Sequence, residues 1–394
     1  MDFNFTEEQQ LLQDTVRRFI DKDYGFEARK KVIATPLGWS RNIWKQFAEL
    51  GLLGIPFSEV HGGLGGSGVD TMIVMDAFGR GLVVEPYLAT VVLAGTAIAH
   101  GASQSLQEAL IPAIIAGDLV AAFAHTEKQA RYELANVETR AKRDGSGYLI
   151  DGAKSVVLHG DAADKLVVSA RTAGSARDPK GITLFLVDAK APGVTLRGYP
   201  TIDGLRGAEL TLKGVRAEAA TVVGEVDNGL SLVELVSDRG IAALCAEAVG
   251  AMDALNKATL EYLKTRQQFG VPIGRFQVLQ HRMAEMLIHF EQAKSMAYLA
   301  AVKADSKDAA ERRHALSAAK VQIGISGRYV GQQAIQLHGG MGMTNELNVS
   351  HYFKRITLID RTLGDVDNHL ARLGDHILAE SAQPAPAALK VSHG

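Results

Sequence analysis

The hydrophobic period of this 394-residue chain changes twice, from helical to alternating and back to helical, and few folds accommodate that order. The chain opens with Thr6-Glu7-Glu8-Gln9, a capping-box pattern that satisfies the first free N–H groups of a helix. Leu11, Leu12, Val16, Phe19 and Ile20 follow at helical spacing, so one face of that helix is buried and its charged face is wet. Further helical stretches cover 44–47, 71–78 and 106–115. From 121 to 223 the pattern alternates instead. Short runs such as Tyr148-Leu149-Ile150 and Lys165-Leu166-Val167-Val168 lie between turn segments such as Asp144-Gly145-Ser146-Gly147 and Ala191-Pro192-Gly193. Strands this close, without helices between them, fit an antiparallel barrel or sandwich better than a parallel α/β sheet. Helical period returns near 228, with long stretches over 230–265, 276–304 and 309–337. A last stretch over 349–379 is interrupted near Gly364.

The expectation is an α+β multidomain protein. An N-terminal α-helical domain spans 1–119, a middle antiparallel β-barrel or sandwich 120–224, and a C-terminal four-helix bundle 225–382. A flexible Pro/Ala-rich tail occupies 383–394.

Charge and composition remove several function classes. A net charge of −2 gives no global attraction to nucleic acid or an anionic membrane. No apolar run approaches the ~20 residues a membrane span needs, and Met1-Asp2-Phe3-Asn4-Phe5 lacks the basic and apolar regions of a secretory signal. A cytoplasmic protein without nucleic-acid or membrane partners is expected. The single cysteine, Cys245, lies in an apolar run and excludes a disulfide framework or a Cys-rich zinc site. The twelve histidines show no paired ligand spacing, so no metal is expected. No Gly-x-Ser-x-Gly elbow is present.

Three glycine-bearing segments carry the chemistry. Gly63-Leu64-Gly65-Gly66-Ser67-Gly68 has the spacing of a dinucleotide fingerprint, but no strand leads into it and no βαβ alternation follows. It reads as a tight loop. Thr265-Arg266-Gln267-Gln268-Phe269-Gly270 ends a long helix, followed by Gly274-Arg275-Phe276-Gln277, and further on comes Gln336-Leu337-His338-Gly339-Gly340-Met341-Gly342. An arginine beside an aromatic at a helix end can bind a pyrophosphate and stack on a ring, and paired glycines let backbone N–H groups approach phosphate. Taken singly, each also reads as a helix cap or turn.

Together, the runs 265–286 and 336–342, with 56–66, strongly resemble the acyl-CoA dehydrogenase family, and the resemblance covers essentially the whole chain. It implies FAD held between the β-domain and the bundle, with the ADP half reaching a neighbouring subunit. By position, Arg266, Phe269 and Gln277 would meet the diphosphate and adenosine end, and Gln336, Gly339 and Gly340 would do so across the subunit interface. By the same resemblance, Thr126 and Thr362 would occupy flavin-facing positions. The implied reaction removes a proton and a hydride from the α and β carbons of an acyl-CoA, with a carboxylate as base and flavin N5 as hydride acceptor. Electrons then pass to an electron-transfer flavoprotein, and the assembly is a homotetramer or a heterotetramer with a larger homologous subunit.

The departures matter as much. The motif resembling Tyr-Glu-Gly-Thr reads Ile359-Asp360-Arg361-Thr362, and the alternative base position on the first bundle helix is Asp238, followed by Arg239. Asp360 is the first candidate base and Asp238 the second. Aspartate is shorter than glutamate by one methylene, a displacement of about 1 Å that can cost ~10²-fold in rate. Arg361 either pairs with Asp360 or reaches a substrate carboxylate, as in a dicarboxyl-CoA, and Arg239 is a second substrate-binding candidate. Where the family has Pro-Gly-Ala-Gly-Ser-Asp this chain has Lys128-Gln129-Ala130-Arg131-Tyr132-Glu133, and its Trp-x-Thr becomes Val156-Val157-Leu158. Leucine offers no hydroxyl and valine no indole cover. This combination resembles the small subunit of pimeloyl-CoA dehydrogenases, in which a degenerate subunit completes a partner's site.

Overall fold

The computed structural model of the chain describes residues 4–381, so the tail expected over 383–394 lies outside the described residues. Helices come first: α1 (Glu7–Asp23), α2 (Phe26–Ile33), α3 (Arg41–Glu49), α4 (Gly68–Gly81), α5 (Gly95–Gly101) and α6 (Gln104–Ile115). Both halves of the capping box at Thr6 form, through the Thr6 hydroxyl and the Gln9 side chain. The core of this region is aromatic: Phe47 stacks on Phe78 at 4.8 Å, and Tyr87 meets Phe78 edge-on at 5.2 Å. Leu88–Ala94, just before α5, winds with π-helical pitch.

The 63–68 glycine run is a loop. Gly62 and Gly65 have φ of 82° and 61°, and a Cβ on Gly63 would stand 2.1 Å from the Phe57 carbonyl oxygen. Among the described residues the first strand begins only at Ala121, well past the loop.

β1 (Ala121–Ala124), β2 (Arg140–Asp144), β3 (Gly147–Leu158), β4 (Lys165–Arg171), β5 (Ile182–Asp188), β6 (Val194–Pro200), β7 (Arg206–Glu218) and β8 (Val222–Val223) form one eight-stranded sheet. The order is β6-β7-β3-β2-β4-β5-β8, with β1 beside β4. Most neighbours are antiparallel, as the close strand spacing requires. Strand β4 makes the two exceptions: β1 runs parallel to it from Ala121 opposite Lys165 to Ala124 opposite Val168, and β2 meets it in parallel at Arg140 opposite Arg171. Against β7, strand β3 slips register between Lys154 and Val157, and this bulge turns Val156 outward at a φ of 52°.

The remainder is helical: α7 (Leu230–Thr265), a two-stranded hairpin of β9 (Gln267–Gln268) and β10 (Val271–Pro272), then α8 (Gln277–Lys303), α9 (Ala309–His338), α10 (Val349–Arg361) and α11 (Val366–Ser381). Leu244, Met252 and Leu255 of α7, Met286 of α8, Leu316 and Ile323 of α9 and Ile359 of α10 share the bundle core, with Cys245 buried among them. The last stretch breaks at Leu363 and Gly364, whose φ values are 59° and 107°. No described helix is long and apolar enough to cross a membrane.

One buried charge cluster joins all three regions. Arg355 of α10 donates to both Glu247 oxygens of α7, at 2.5 and 2.6 Å, and to Asp203 of the β6–β7 turn at 2.9 Å. Arg29 of α2 donates to the Asp203 carbonyl at 2.6 Å and to that of Leu82 at 2.7 Å. Unpaired charges at this depth would be costly, so the cluster fixes how sheet and helices meet.

Candidate active site

A cavity of ≈ 900 Å³ opens between the loop after β1, the first turns of α7 and α9, and α11. Tyr132, Ser237, Asp238, Ser317, Asn368 and Arg372 are among its walls. The loop wall is tied at its base. Glu127 accepts from the backbone N–H groups of Glu138 and Thr139, at 2.8 and 3.0 Å, and from the buried ammonium of Lys154 at 2.7 Å. Burial works to raise Glu127, but Lys154 and these hydrogen bonds prevail and hold it at about 2. Burial likewise pushes Lys154 down to about 8. Arg171 adds bonds to the carbonyls of Ala135, Ala176 and Lys180 at 2.7, 2.8 and 2.8 Å.

The two aspartates have different surroundings. Asp238 is buried in the cavity wall, where its Oδ2 accepts from Nε of Arg312 at 2.8 Å. Burial raises its pKa above the ordinary aspartate range, against the opposing pull of Arg312. Arg312 is itself aimed by a second bond to the Ser306 carbonyl at 2.8 Å. Asp360 is also buried, but it is not among the cavity walls. Its Oδ1 lies 2.4 Å from where a Cβ on Gly324 of α9 would stand, and has no hydrogen-bond partner. Its Oδ2 is 3.7 Å from Arg328 and 3.9 Å from Arg361.

The corner around Asp360 is held from inside. Lys320 of α9, fully buried, donates to the carbonyls of Ile359, Asp360, Thr362 and Gly364 at 2.8, 3.0, 2.9 and 2.6 Å. Thr362 donates its hydroxyl back to Leu358 at 2.7 Å. Arg361 donates to Asp365 at 2.9 Å beside the Tyr132 side chain, while Arg131 stands 3.8 Å from Asp365. The loop after β1 therefore meets the α10–α11 corner directly. Arg239 is elsewhere. It lies 3.4 Å from Asp305 at a second cavity of ≈ 30 Å³, beside Thr71 and Thr96. The two arginines singled out from the sequence do not share a site.

Sequence reasoning missed Lys320 and Arg312. A signal for the first was present, since Lys320 interrupts the apolar stripe of Leu316, Ala319 and Ile323 on α9.

The outward-facing candidates form another group. Phe269 is 92% exposed at a φ of 54°, meeting Phe276 edge-on at 6.1 Å. Arg266 and Gln277 are exposed on either side of the hairpin, and Gln336 is exposed at the end of α9. A Cβ on Gly339 or Gly340 would meet nothing within 4 Å, leaving the backbone open to a close partner. Thr126 is exposed just past β1, where its carbonyl accepts from Ser155 N–H at 2.8 Å.

This three-part architecture matches, region by region, the acyl-CoA dehydrogenase N-terminal domain over 6–118, the middle domain over 122–215 and the C-terminal domain over 227–378. The chain belongs to the acyl-CoA dehydrogenase family, whose members are FAD-dependent oxidoreductases. It is 30% identical over 373 residues to the mitochondrial long-chain specific acyl-CoA dehydrogenase of Sus scrofa, covering 89% of this chain and 81% of that one. Among solved structures it resembles the Tcur3481-Tcur3483 steroid ACAD, at 29% identity and a TM-score of 0.86, covering 96% of this chain and 99% of that chain. The ChsE4-ChsE5 complex from Mycobacterium tuberculosis matches at 27% identity and a TM-score of 0.86, covering 98% and 100%.

The residues present fit FAD unevenly. The open glycine backbone and the exposed Arg266 and Phe269 suit a diphosphate and an adenine. Where the family resemblance would put the flavin ring, Thr126 offers a hydroxyl, whereas the side chains of Val156, 51% exposed, and Leu158 offer no hydrogen bond.

Proposed function

We propose that this chain is a subunit of an acyl-CoA dehydrogenase that receives an acyl-CoA thioester in the large cavity and takes its α proton on Asp238. One observation carries the assignment of the base: Asp238 is a buried carboxylate in the cavity wall, raised by burial and aimed by Arg312, whereas Asp360 faces α9. A base in a dry wall with a raised pKa suits abstraction of a weakly acidic C–H proton. Arg266, Phe269 and Gln277, with Gln336, Gly339 and Gly340 from a neighbouring subunit, would hold the diphosphate and adenosine of FAD, and Thr126 would meet its ring. FAD, when bound, supplies the hydride acceptor, and an electron-transfer flavoprotein would collect the electrons. Asp238→Asn keeps the shape of the side chain and removes the base. Turnover of the reconstituted enzyme should fall by about 10²–10⁴ while acyl-CoA binding persists. Turnover within a few-fold of the parent would return the role to Asp360.

A second reading has its own support. Val156 turns outward on a bulge, Leu158 carries no hydroxyl, and Arg131 and Tyr132 of the loop after β1 come up to Asp365 and Arg361 of the α10–α11 corner. These features suit a subunit that completes the site of a larger homologue, and ChsE4-ChsE5 is a solved complex of two different chains. The visible flavin spectrum of the isolated chain separates the readings. Flavin near one per chain, bleached by acyl-CoA, supports autonomous catalysis. A folded, colourless chain that gains flavin only with its larger partner supports the second.

A further inference from the structure

Arg372 of α11 lines the large cavity and is half-buried there. Among the described residues it makes no hydrogen bond and no ion pair, and its guanidinium nitrogens keep accessible surface. The other two arginines of the wall are engaged: Arg313 donates to Glu234 at 2.5 Å, and Arg131 stands 3.8 Å from Asp365. The buried carboxylates of the wall are engaged too, Asp238 by Arg312 at 2.8 Å and Asp365 by Arg361 at 2.9 Å. Of the remaining acids, Glu133 stands 3.4 Å from Arg177, and Asp367 is exposed in the first turn of α11.

The surroundings of Arg372 define the partner it would take. Burial pulls its pKa below the usual guanidinium range, Asp238 and Glu234 oppose that shift, and the cation of Arg313 adds to it. The charge itself persists, because a guanidinium does not give up its proton in a protein. Two guanidinium groups therefore repel each other in the cavity wall, and the carboxylate that acts on both, Glu234, is committed to Arg313. With two cations against one carboxylate, this patch carries an excess positive charge. A half-buried charge without a partner is costly, so the patch favours a ligand group that brings a negative one.

We infer that Arg372, flanked by Arg313, is a specificity-determining residue that receives a carboxylate on the acyl group, so that the substrate is a dicarboxyl-CoA. A guanidinium fork matches a carboxylate through two parallel N–H···O bonds. The phosphates of CoA are the other anionic groups of such a ligand. They lie a whole pantetheine arm away from the thioester, whereas Arg372 feels the charge of Asp238, the proposed base, which must sit at the α carbon. The excess charge of the patch also fits one carboxylate better than the several charges of the CoA phosphates. Arg361, the arginine first suggested for this task, is not among the cavity walls and is held by Asp365. The inference rests on the thioester occupying this cavity, as proposed above.

Calorimetric titration of the assembled enzyme tests it without requiring turnover. The ligands are glutaryl-, adipyl- and pimeloyl-CoA, each against the monocarboxyl-CoA of equal chain length, and free CoA. The parent should bind at least one dicarboxyl-CoA about tenfold to a hundredfold more tightly than its monocarboxyl counterpart, as a charge-assisted hydrogen bond provides. Arg372→Met should erase that preference and leave the affinity for free CoA unchanged, and Arg372→Lys should retain part of it. A parent without the preference, or an Arg372→Met variant that keeps it, overturns the inference. An equal loss for free CoA and every thioester also overturns it and assigns the contact to phosphate. Without ligand, Arg372→Met should melt no lower than the parent, because it removes an unpaired charge and its repulsion by Arg313. A variant that fails to fold or melts far lower makes Arg372 a structural residue and overturns the inference. A parent that binds none of these ligands is a different failure, which removes the thioester from this cavity and the proposed function with it.

Discussion

The hairpin after α7 and the corner between α10 and α11 are built in opposite ways. At the hairpin and the end of α9 the side chains point outward, with Phe269 92% exposed and an open glycine backbone at Gly339 and Gly340. At the corner the polar groups bond within the chain. Lys320 holds four carbonyls, Thr362 bonds back into its helix, and Arg361 is held by Asp365. The contrast separates two kinds of resemblance to a family motif. An outward surface keeps its capacity to bind because nothing in its own subunit uses it. A corner saturated from within keeps its shape but has few donors left for a ligand, and its aspartate is turned toward α9.

If the corner is a structural unit, removing its central cation should be the most damaging change. Lys320→Met deletes a charge-assisted donor set and leaves buried carbonyls without partners, for an expected loss of about 3–5 kcal/mol. Urea denaturation at constant m-value measures it. A loss under about 1 kcal/mol would mean that water takes over the carbonyls, and the corner would no longer contrast with the hairpin.

The hairpin should behave in the opposite way. Phe269→Ser removes almost no buried contact within the subunit, so stability of the monomer should change by less than about 0.5 kcal/mol. The same substitution should weaken subunit association by about 2 kcal/mol, as expected of an aromatic anchor at an interface centre. Sedimentation equilibrium reads the second effect and thermal unfolding of the dissociated chain the first. An unchanged assembly would mean that Phe269 is exposed in the complex too.

Much of the fold follows from local pattern. The capping box at Thr6, the limits of α7 and the break near Gly364 each depend on residues adjacent in sequence, and each is found where the pattern places it. The parallel pairing of β1 with β4 was not legible, because alternation has the same period in either direction. The site was harder to read. Arg312 meets Asp238 across 74 residues, and nothing near either of them announces the partner. Which aspartate reaches the cavity depends on how α10 is rotated when the chain turns at Leu363, a tertiary property that motif spacing cannot carry. Lys320 was the one visible clue, since a charge inside an apolar stripe must find buried acceptors.

The smallest expected effect lies at the exposed edge of the corner, at Arg361. Its side chain is 55% exposed while Asp365 is only 5% exposed, so the pair is screened on one side. Arg361→Gly should cost only about 0–1 kcal/mol at neutral pH, as for other ion pairs with one wet member. The pH dependence is more telling. Burial works to raise Asp365, but the Asn368 N–H, Arg361 and Arg131 prevail and hold it below the usual aspartate range. A carboxylate lowered on folding adds stability above its unfolded pKa of about 3.9, and that stability is lost as the pH falls through the lower folded value. Without Arg361 the folded pKa moves up toward the unfolded one, so the acid-dependent loss should shrink. Denaturation midpoints taken from pH 6 downward would show parent and variant converging as acid is added. Parallel curves would mean that the Asn368 N–H and Arg131 suffice, and that Arg361 is as free for a ligand as the hairpin residues are.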